Sequence, residues 1–426
     1  MHGKQQFENL ISHSFSGTAT IALALAMVFT LTVLLNQSAQ AQTLPADGSW
    51  TEKLLHSFNG TDGSVPDAGL IFDTAGNLYG TTYYGGTYDY GTVFELTRSH
   101  DTAHGGWTEK VLHSFNGADG GNLFGGLILD AAGNLYGTGN AGGFGFGTVF
   151  ELTRSPNTAG GGWTEKVLHS FNGTDGAVPD AALIFDAAGN LYGTTTYGGG
   201  LGNVFELTPA AGGGWTEKVL YNVGNVPFGG LIFDSAGNLY GTTYYGGTYG
   251  HGAVFELTPV ADGSWTEEVL YSFHNNGADG AGPYPTLIFD AAGNLYGTTY
   301  NGGFYGYGTV FELMPAAGGG WTEKVLHSFN GTDGAYLFGG LIFDAAGNLY
   351  GTTVVGGSHG YGTVFELTPA AGGNWTEKVL YSFHNNGTDG AEPGWASLIF
   401  DAAGNLYGTT LDGGTYGYGT VFEITP

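Results

Sequence analysis

The chain has 426 residues, 82 of them Gly, with 15 % aromatic and 11 % charged residues. Thirty-seven acidic residues against nine Lys and Arg leave a formal net charge of −28. Such a chain repels phosphate backbones and anionic head groups, so nucleic acid is not an expected partner. Its aromatic content excludes a disordered linker, its 13 Pro and aperiodic Gly exclude collagen, and the lack of Cys excludes disulfides and thiolate chemistry.

In chain order, the first segment differs from all that follows. Lys4 precedes an apolar run over 21–35, and Ala39-Gln40-Ala41 offers a small-x-small cleavage site. The pattern predicts a secretory signal peptide over 1–41 and a linker over 42–49, and therefore a secreted or extracytoplasmic protein, in the periplasm or at the cell surface. The rival is an uncleaved anchor, for which the apolar stretch 18–35 is near the lower limit of a bilayer span.

From residue 50 the chain repeats one unit. Trp-Thr-Glu begins at Trp50, Trp107, Trp163, Trp215, Trp265, Trp321 and Trp375. Gly-Asn-Leu-Tyr-Gly-Thr begins at Gly76, Gly133, Gly189, Gly237, Gly293, Gly347 and Gly404, and Val-Phe-Glu also occurs seven times. Each unit reads as four short β-branched and aromatic runs bounded by Gly, Asn and Pro, which is the signature of strands. In the unit around Gly293 these are 287–290, 295–299, 309–313 and 321–329. No long 3.6-residue apolar period follows the signal, so helices are not expected. Four antiparallel strands per unit of roughly 50 residues is a propeller blade. The chain begins its repeats on a fourth strand, 50–58, and ends on a third, 420–425. Joined, they complete a blade and close the ring, which removes the exposed edges of an open array. The expectation is all-β: residues 50–426 as a seven-bladed β-propeller of four-stranded antiparallel blades, closed by an N-terminal strand.

The stretch 239–257, LYGTTYYGGTYGHGAVFEL, and its six partners resemble the bacterial choice-of-anchor GloVer tandem-repeat family. The resemblance covers nearly all of the chain after the signal and implies an exported or surface-associated repeat protein. It brings no activity with it. The anchor in the family's description is not found among these residues, which stop at Thr425-Pro426 directly after a strand. A looser similarity, in Gly246-Gly247, Val254-Phe-Glu and Trp265-Thr, is to kelch-type blades.

Residues present in every unit are expected to build it. The aspartates at 73, 130, 186, 234, 290, 344 and 401 precede x-Ala-Gly-Asn and should cap their own turns. Trp107 and its equivalents should pack between blades. His56, His113, His169 and His327 fill a slot that Tyr221, Tyr271 and Tyr381 fill elsewhere, which suggests aromatic packing and no metal. The loops carrying Asp62, Asp119, Asp175, Asp279, Asp333 and Asp389 read as Asx turns, with weak calcium binding as the alternative. No cofactor is otherwise expected.

Where the units differ, they differ at the channel mouth. Three residues before each innermost Leu stand Asp67, Phe124, Asp180, Phe228, Tyr284, Phe338 and Trp395, joined by Tyr83, Tyr84, Tyr244, Tyr245, Tyr300 and Tyr305 from the next loops. Aromatic faces with a few carboxylates suit neutral sugars or polyols. The alternative is that these rings merely cover the channel. Three functions compete: a monomeric, secreted, non-catalytic module binding a glycan or an extracellular protein; a propeller-scaffold carbohydrate hydrolase or lyase using Asp67 and Asp180; and a purely structural surface or matrix component. No Ser-His-Asp, P-loop or dinucleotide signature is present, so no catalytic residue is assigned beyond that alternative.

Overall fold

The computed structural model describes residues 50–99, 106–155, 162–198, 200, 202–393, 395 and 397–426. The chain divides into two units, Met1–Ala41 and Gln42–Pro426, and every described residue belongs to the second. The expected signal peptide and linker lie outside the described residues.

Seven four-stranded antiparallel blades form a ring. Blade one runs Ile71–Phe72, Leu78–Thr82, Thr92–Arg98 and Trp107–Ser114, from the innermost strand outward. Blades two to six repeat this order, beginning at Ile128, Ile184, Ile232, Ile288 and Ile342. Blade seven takes Ile399–Phe400, Leu406–Thr410 and Thr420–Thr425 from the C-terminus and Thr51–Ser57 from the N-terminus. The closing pair runs antiparallel, with Thr51 opposite Thr425, Leu54 opposite Phe422 and Ser57 opposite Thr420. Phe58 N then donates to Gly419 O at 3.0 Å. Both chain ends of the repeat domain are thereby held in one sheet, and no blade is left incomplete.

The repeated residues account for the blade. In blade five, Asp290 Oδ1 accepts from Ala292 N and Asn294 N, and Oδ2 accepts from Asn294 Nδ2, each at 2.8 Å. Gly293 supplies the positive φ of 86° that the turn requires. Tyr296 Oη, 3.2 Å from Asp290 Oδ2, donates to Glu312 Oε1 at 2.7 Å, tying the turn to the third strand. The same arrangement recurs in all seven blades, as at Asp73, Tyr79 and Glu95. The second strand is buried on both faces and must admit the Phe of the third: a Cβ on Gly297 would sit 2.6 Å from Phe311 Cζ and 2.8 Å from Leu287 Cδ2.

Each apolar cluster lies between two neighbouring blades rather than within one. Tyr79 and Val93 of blade one, for example, pack with Leu127, Leu135 and Phe150 of blade two. Trp163 and Trp107 meet Tyr79 and Tyr407 of the preceding blade edge-on, at 6.3 Å in each case. Every blade therefore needs a neighbour, which makes ring closure part of the core.

Two features depart from the strand pattern read in the sequence. The innermost strands are two residues long, because the residue before each inner Leu packs against its counterparts on the adjoining blades. A Cβ on Gly69 would lie 3.4 Å from Ser397 O, and one on Gly340 would collide with Ser397 Oγ at 2.5 Å. Each outer strand also carries a β-bulge: Val310 pairs with His327 and Phe311 with Val325, so Leu326 is the extra residue and turns into the core. Among the described residues the one helical turn is the three-residue Ala371–Gly373, and no helix is long and apolar enough to cross a membrane.

Candidate functional site

The loops between second and third strands share a face with the links that lead into each blade. Ser64 of one such link bridges Tyr84 of a loop, and Ala335 bridges Val355. All fourteen exposed aromatic side chains among the described residues lie on these seven loops: Tyr84, Tyr88 and Tyr90; Phe144 and Phe146; Tyr197; Tyr245 and Tyr249; Phe304, Tyr305 and Tyr307; Tyr361; Tyr416 and Tyr418. Phe304 is the most open, at 77 %. The Gly-rich sequence explains this exposure: Gly302 and Gly303 turn at φ of 84° and 74° against neighbouring atoms, leaving Phe304 and Tyr305 no core to enter. On the same face, between blades four and five, a cleft of about 360 Å³ is lined by Tyr244, Tyr245, His251, Asn275 and Asn301 among others.

At the axis of this face, the five aromatic mouth residues pack on one another. Phe338 stacks on Trp395 at 4.0 Å and Phe228 on Tyr284 at 4.6 Å. Tyr284 also meets Phe338 at 4.7 Å and Trp395 at 5.7 Å, and Phe124 meets Trp395 at 5.2 Å. The contacts skip blades, so the rings form a cover across the channel. Of the accompanying tyrosines, Tyr83, Tyr244 and Tyr300 extend the cover through Phe124, Phe228 and Phe338, whereas Tyr84, Tyr245 and Tyr305 stand in solvent.

The two mouth carboxylates lie in this cover and differ in their surroundings. Asp180 accepts hydrogen bonds from Thr196 Oγ1 and Asn140 Nδ2; burial raises its pKa and these bonds oppose the rise. Asp67 is 6 % exposed and has no hydrogen-bond donor among the described residues, and burial pushes its pKa up to about 8. Burial raises the Tyr284 hydroxyl well above the ordinary phenol range, and the charges of both Asp180 and Asp67 add to the rise. The phenol thus senses both carboxylates.

A second group of polar residues recurs between blades. His56 Nε2 lies 3.2 Å from Asp62 Oδ2, and the carboxylate of Glu109, from the outer strand of the next blade, comes within 4.8 Å of both. The same triad forms from His113, Asp119 and Glu165; His169, Asp175 and Glu217; and His327, Asp333 and Glu377. Burial pushes the pKa of Glu109 up to about 7, with His56 opposing and Asp62 adding to the effect. In two Tyr-bearing blades the phenol takes the imidazole's place: Tyr271 Oη donates to Asp279 at 3.1 Å and Tyr381 Oη to Asp389 at 3.0 Å. The loop aspartates also form the expected Asx-type turns, with Asp62 accepting from Asn59 N at 2.9 Å and Asn59 Nδ2 at 2.6 Å.

With this geometry in view, comparison with known proteins assigns the repeat. The model of the Gloeobacter/Verrucomicrobia repeat matches residues 42–225, 108–288 and 286–426. The chain belongs to this family. No functionally curated protein matches the chain. Solved structures similar to this Gloeobacter/Verrucomicrobia repeat chain include a gluconolactonase from Xanthomonas campestris, at 15 % identity and a TM-score of 0.41 over 77 % of this chain and 94 % of that one. They also include a Thermus thermophilus protein described as a putative oxidoreductase (glucose dehydrogenase), at 15 % identity and a TM-score of 0.41 over 88 % and 100 %. At that similarity nothing of their chemistry transfers.

In this Gloeobacter/Verrucomicrobia repeat chain, sequence reading brought the mouth residues together through one positional rule. It missed the glutamate of Trp-Thr-Glu as a neighbour of the histidine slot, because the two stand on adjacent blades, 53 residues apart at His56 and Glu109. The signal that could have found it is period alone: in a ring, the outer strand of one unit lies against the outer strand of the next.

Proposed function

We propose that the protein is an exported, non-catalytic binding module that presents its loop face to a neutral glycan or an extracellular protein. The observation that carries this reading is the confinement of every exposed aromatic among the described residues to one set of loops. Exposed aromatics gathered on one set of loops suit an interaction face, and aromatic faces pack against the C–H surfaces of sugars while tyrosine hydroxyls and carboxylates serve their hydroxyl groups. A cleft beside Tyr244 and Tyr245 opens on that face. The test is a glycan array and polysaccharide retention assay with wild type, Phe304→Ala/Tyr305→Ala and Trp395→Ala. Binding lost in the variants with unchanged circular dichroism supports the reading; wild-type inertness toward glycans and extracellular proteins refutes it.

A second reading, carbohydrate hydrolysis or lyase chemistry, has one observation in its favour. Asp67 and Asp180 sit in one aromatic enclosure in different surroundings: burial raises the pKa of both, but Asp180 has two donors that oppose the rise and Asp67 has none among the described residues. Two carboxyls held in unlike surroundings are a starting point for acid–base chemistry. Turnover abolished by Asp67→Asn and by Asp180→Asn would favour it over pure binding.

A further inference from the structure

The geometry points to four sites for a divalent transition-metal ion, one at each blade junction where the outer strand offers His in place of Tyr, each using one imidazole nitrogen and two carboxylates. At the junction of blades seven and one, His56 and Asp62 precede the inner strand of blade one and Glu109 comes from its outer strand, and their ligand atoms all lie within 4.8 Å of one another. Ligands around a zinc ion at about 2.0–2.2 Å stand roughly 3.3–3.5 Å apart, so a small rotation of the glutamate completes the set. His56 and Asp62 already have that spacing, at 3.2 Å.

An independent observation concerns the glutamates. In all four triads Glu Oε1 is wholly buried and has no hydrogen-bond partner among the described residues. Native proteins rarely leave a buried acceptor without a donor or an ion. The aspartate is also prepared from behind: Asn59 donates its backbone and side-chain N–H to Asp62, the kind of outer contact that orients a ligating carboxylate. The donor set selects the ion, since imidazole with carboxylate suits Zn²⁺, Fe²⁺ or Mn²⁺, whereas Ca²⁺ gathers six to eight oxygens. The Tyr junctions separate the roles of the residues. Glu323 and Glu52 there also keep a buried free oxygen, but a phenol O–H already donates to the aspartate; His274 Nδ1 lies 3.3 Å from Asp279 at one of them without forming such a three-atom group, so the gathering of imidazole, aspartate and glutamate atoms together distinguishes a site from a non-site. Each ion would join two adjacent outer strands, including the strand that closes the ring.

The test needs no knowledge of any glycan. The chelator-treated full chain is dialysed against Zn²⁺ with excess Mg²⁺ to occupy loose carboxylates, and bound zinc is counted by mass spectrometry. Four ions per chain are expected, and H56Y, H113Y, H169Y and H327Y, each installing a residue that three blades already carry, should each lower the count by one. The quadruple variant should bind none, keep its near-ultraviolet circular dichroism and melt in chelator as wild type does. Glu109→Gln provides a second route, with affinity at that junction falling at least tenfold. Any other wild-type count, or a count that the His→Tyr variants leave unchanged, overturns the proposal.

Discussion

Asp67→Asn isolates the electrostatics of the channel mouth. The carboxyl is 6 % exposed, has no donor among the described residues, and titrates at about 8 in the folded protein against 3.8 for the free side chain. The native state therefore holds this proton more tightly than the unfolded chain does. Its contribution to stability is fully present below about pH 4 and is lost as pH rises to about 8, at roughly 1.4 kcal/mol per pH unit. Over the whole window that amounts to about 5–6 kcal/mol, and between about pH 5 and about pH 8.5 to about 4 kcal/mol. The substituted amide has the same shape and does not ionise, so the variant should gain about 4 kcal/mol on wild type between mild acid and mild alkali. Asp180 and the junction glutamates titrate in both proteins and cancel in the difference to first order. Urea titrations followed by tryptophan fluorescence at the two pH values give this double difference directly. A value under about 1 kcal/mol, or a variant that loses ground as pH rises, would refute the reasoning.

Three further outcomes follow from the scaffold. Gly297→Ala places a methyl 2.6 Å from Phe311 Cζ and should cost about 1–3 kcal/mol in urea stability. Tyr407→Phe removes the donor to Glu423 Oε1 at 2.6 Å and the acceptor of Arg98 Nη2 at 2.9 Å. With Glu423 7 % exposed, the expected loss is about 1–3 kcal/mol, greater than for Tyr240→Phe, whose hydroxyl bonds to Asp234 and Glu256 and accepts from no arginine among the described residues, as thermal melts of the pair would show. Deleting residues 50–58 leaves Thr420–Thr425 without its outer neighbour and blade one without Phe58, and light scattering should then report oligomers joined at the open edge. A monomer with wild-type melting temperature would contradict the role given to the closing strand.

Most of the fold could be read from the sequence because its determinants are local and repeated. The turn at Asp290-Ala-Ala-Gly-Asn294 contains its own hydrogen-bond acceptors and its own positive-φ glycine, so five residues specify it. Ring closure was legible too, since a lone fourth strand at one end and a missing one at the other have one economical solution. The inner strands were legible as short, but not their exact ends, where Gly69, Gly340 and Ser397 crowd around the axis in a way no single repeat encodes. The mouth residues could be collected by position, but whether Trp395 faces solvent or stacks on Phe338 depends on rings from other blades. The His–Asp–Glu junctions were hidden for the same reason. Their third member belongs to the next unit, and the bulge at Leu326 that accompanies the His327 slot leaves no mark in the residue pattern.

The departures from sevenfold repetition separate folding from function. Seven Asp–Tyr–Glu networks and seven Phe-over-Gly contacts are needed for seven equivalent blades, and a substitution at any of them would be felt as lost stability. The loop aromatics obey no such demand: blade three exposes Tyr197 alone while blade five exposes Phe304, Tyr305 and Tyr307, and both blades are built alike beneath. Side chains that vary in number without altering the sheet under them, and that remain in water at the cost of their apolar surface, are what the proposed binding role calls for. The junctions are intermediate. Their His or Tyr choice changes neither strand register nor bulge, since Val254 pairs with Tyr271 as Val310 pairs with His327. The exchange is therefore structurally neutral, and the imidazole at four of seven junctions is a chemical difference placed on a constant frame.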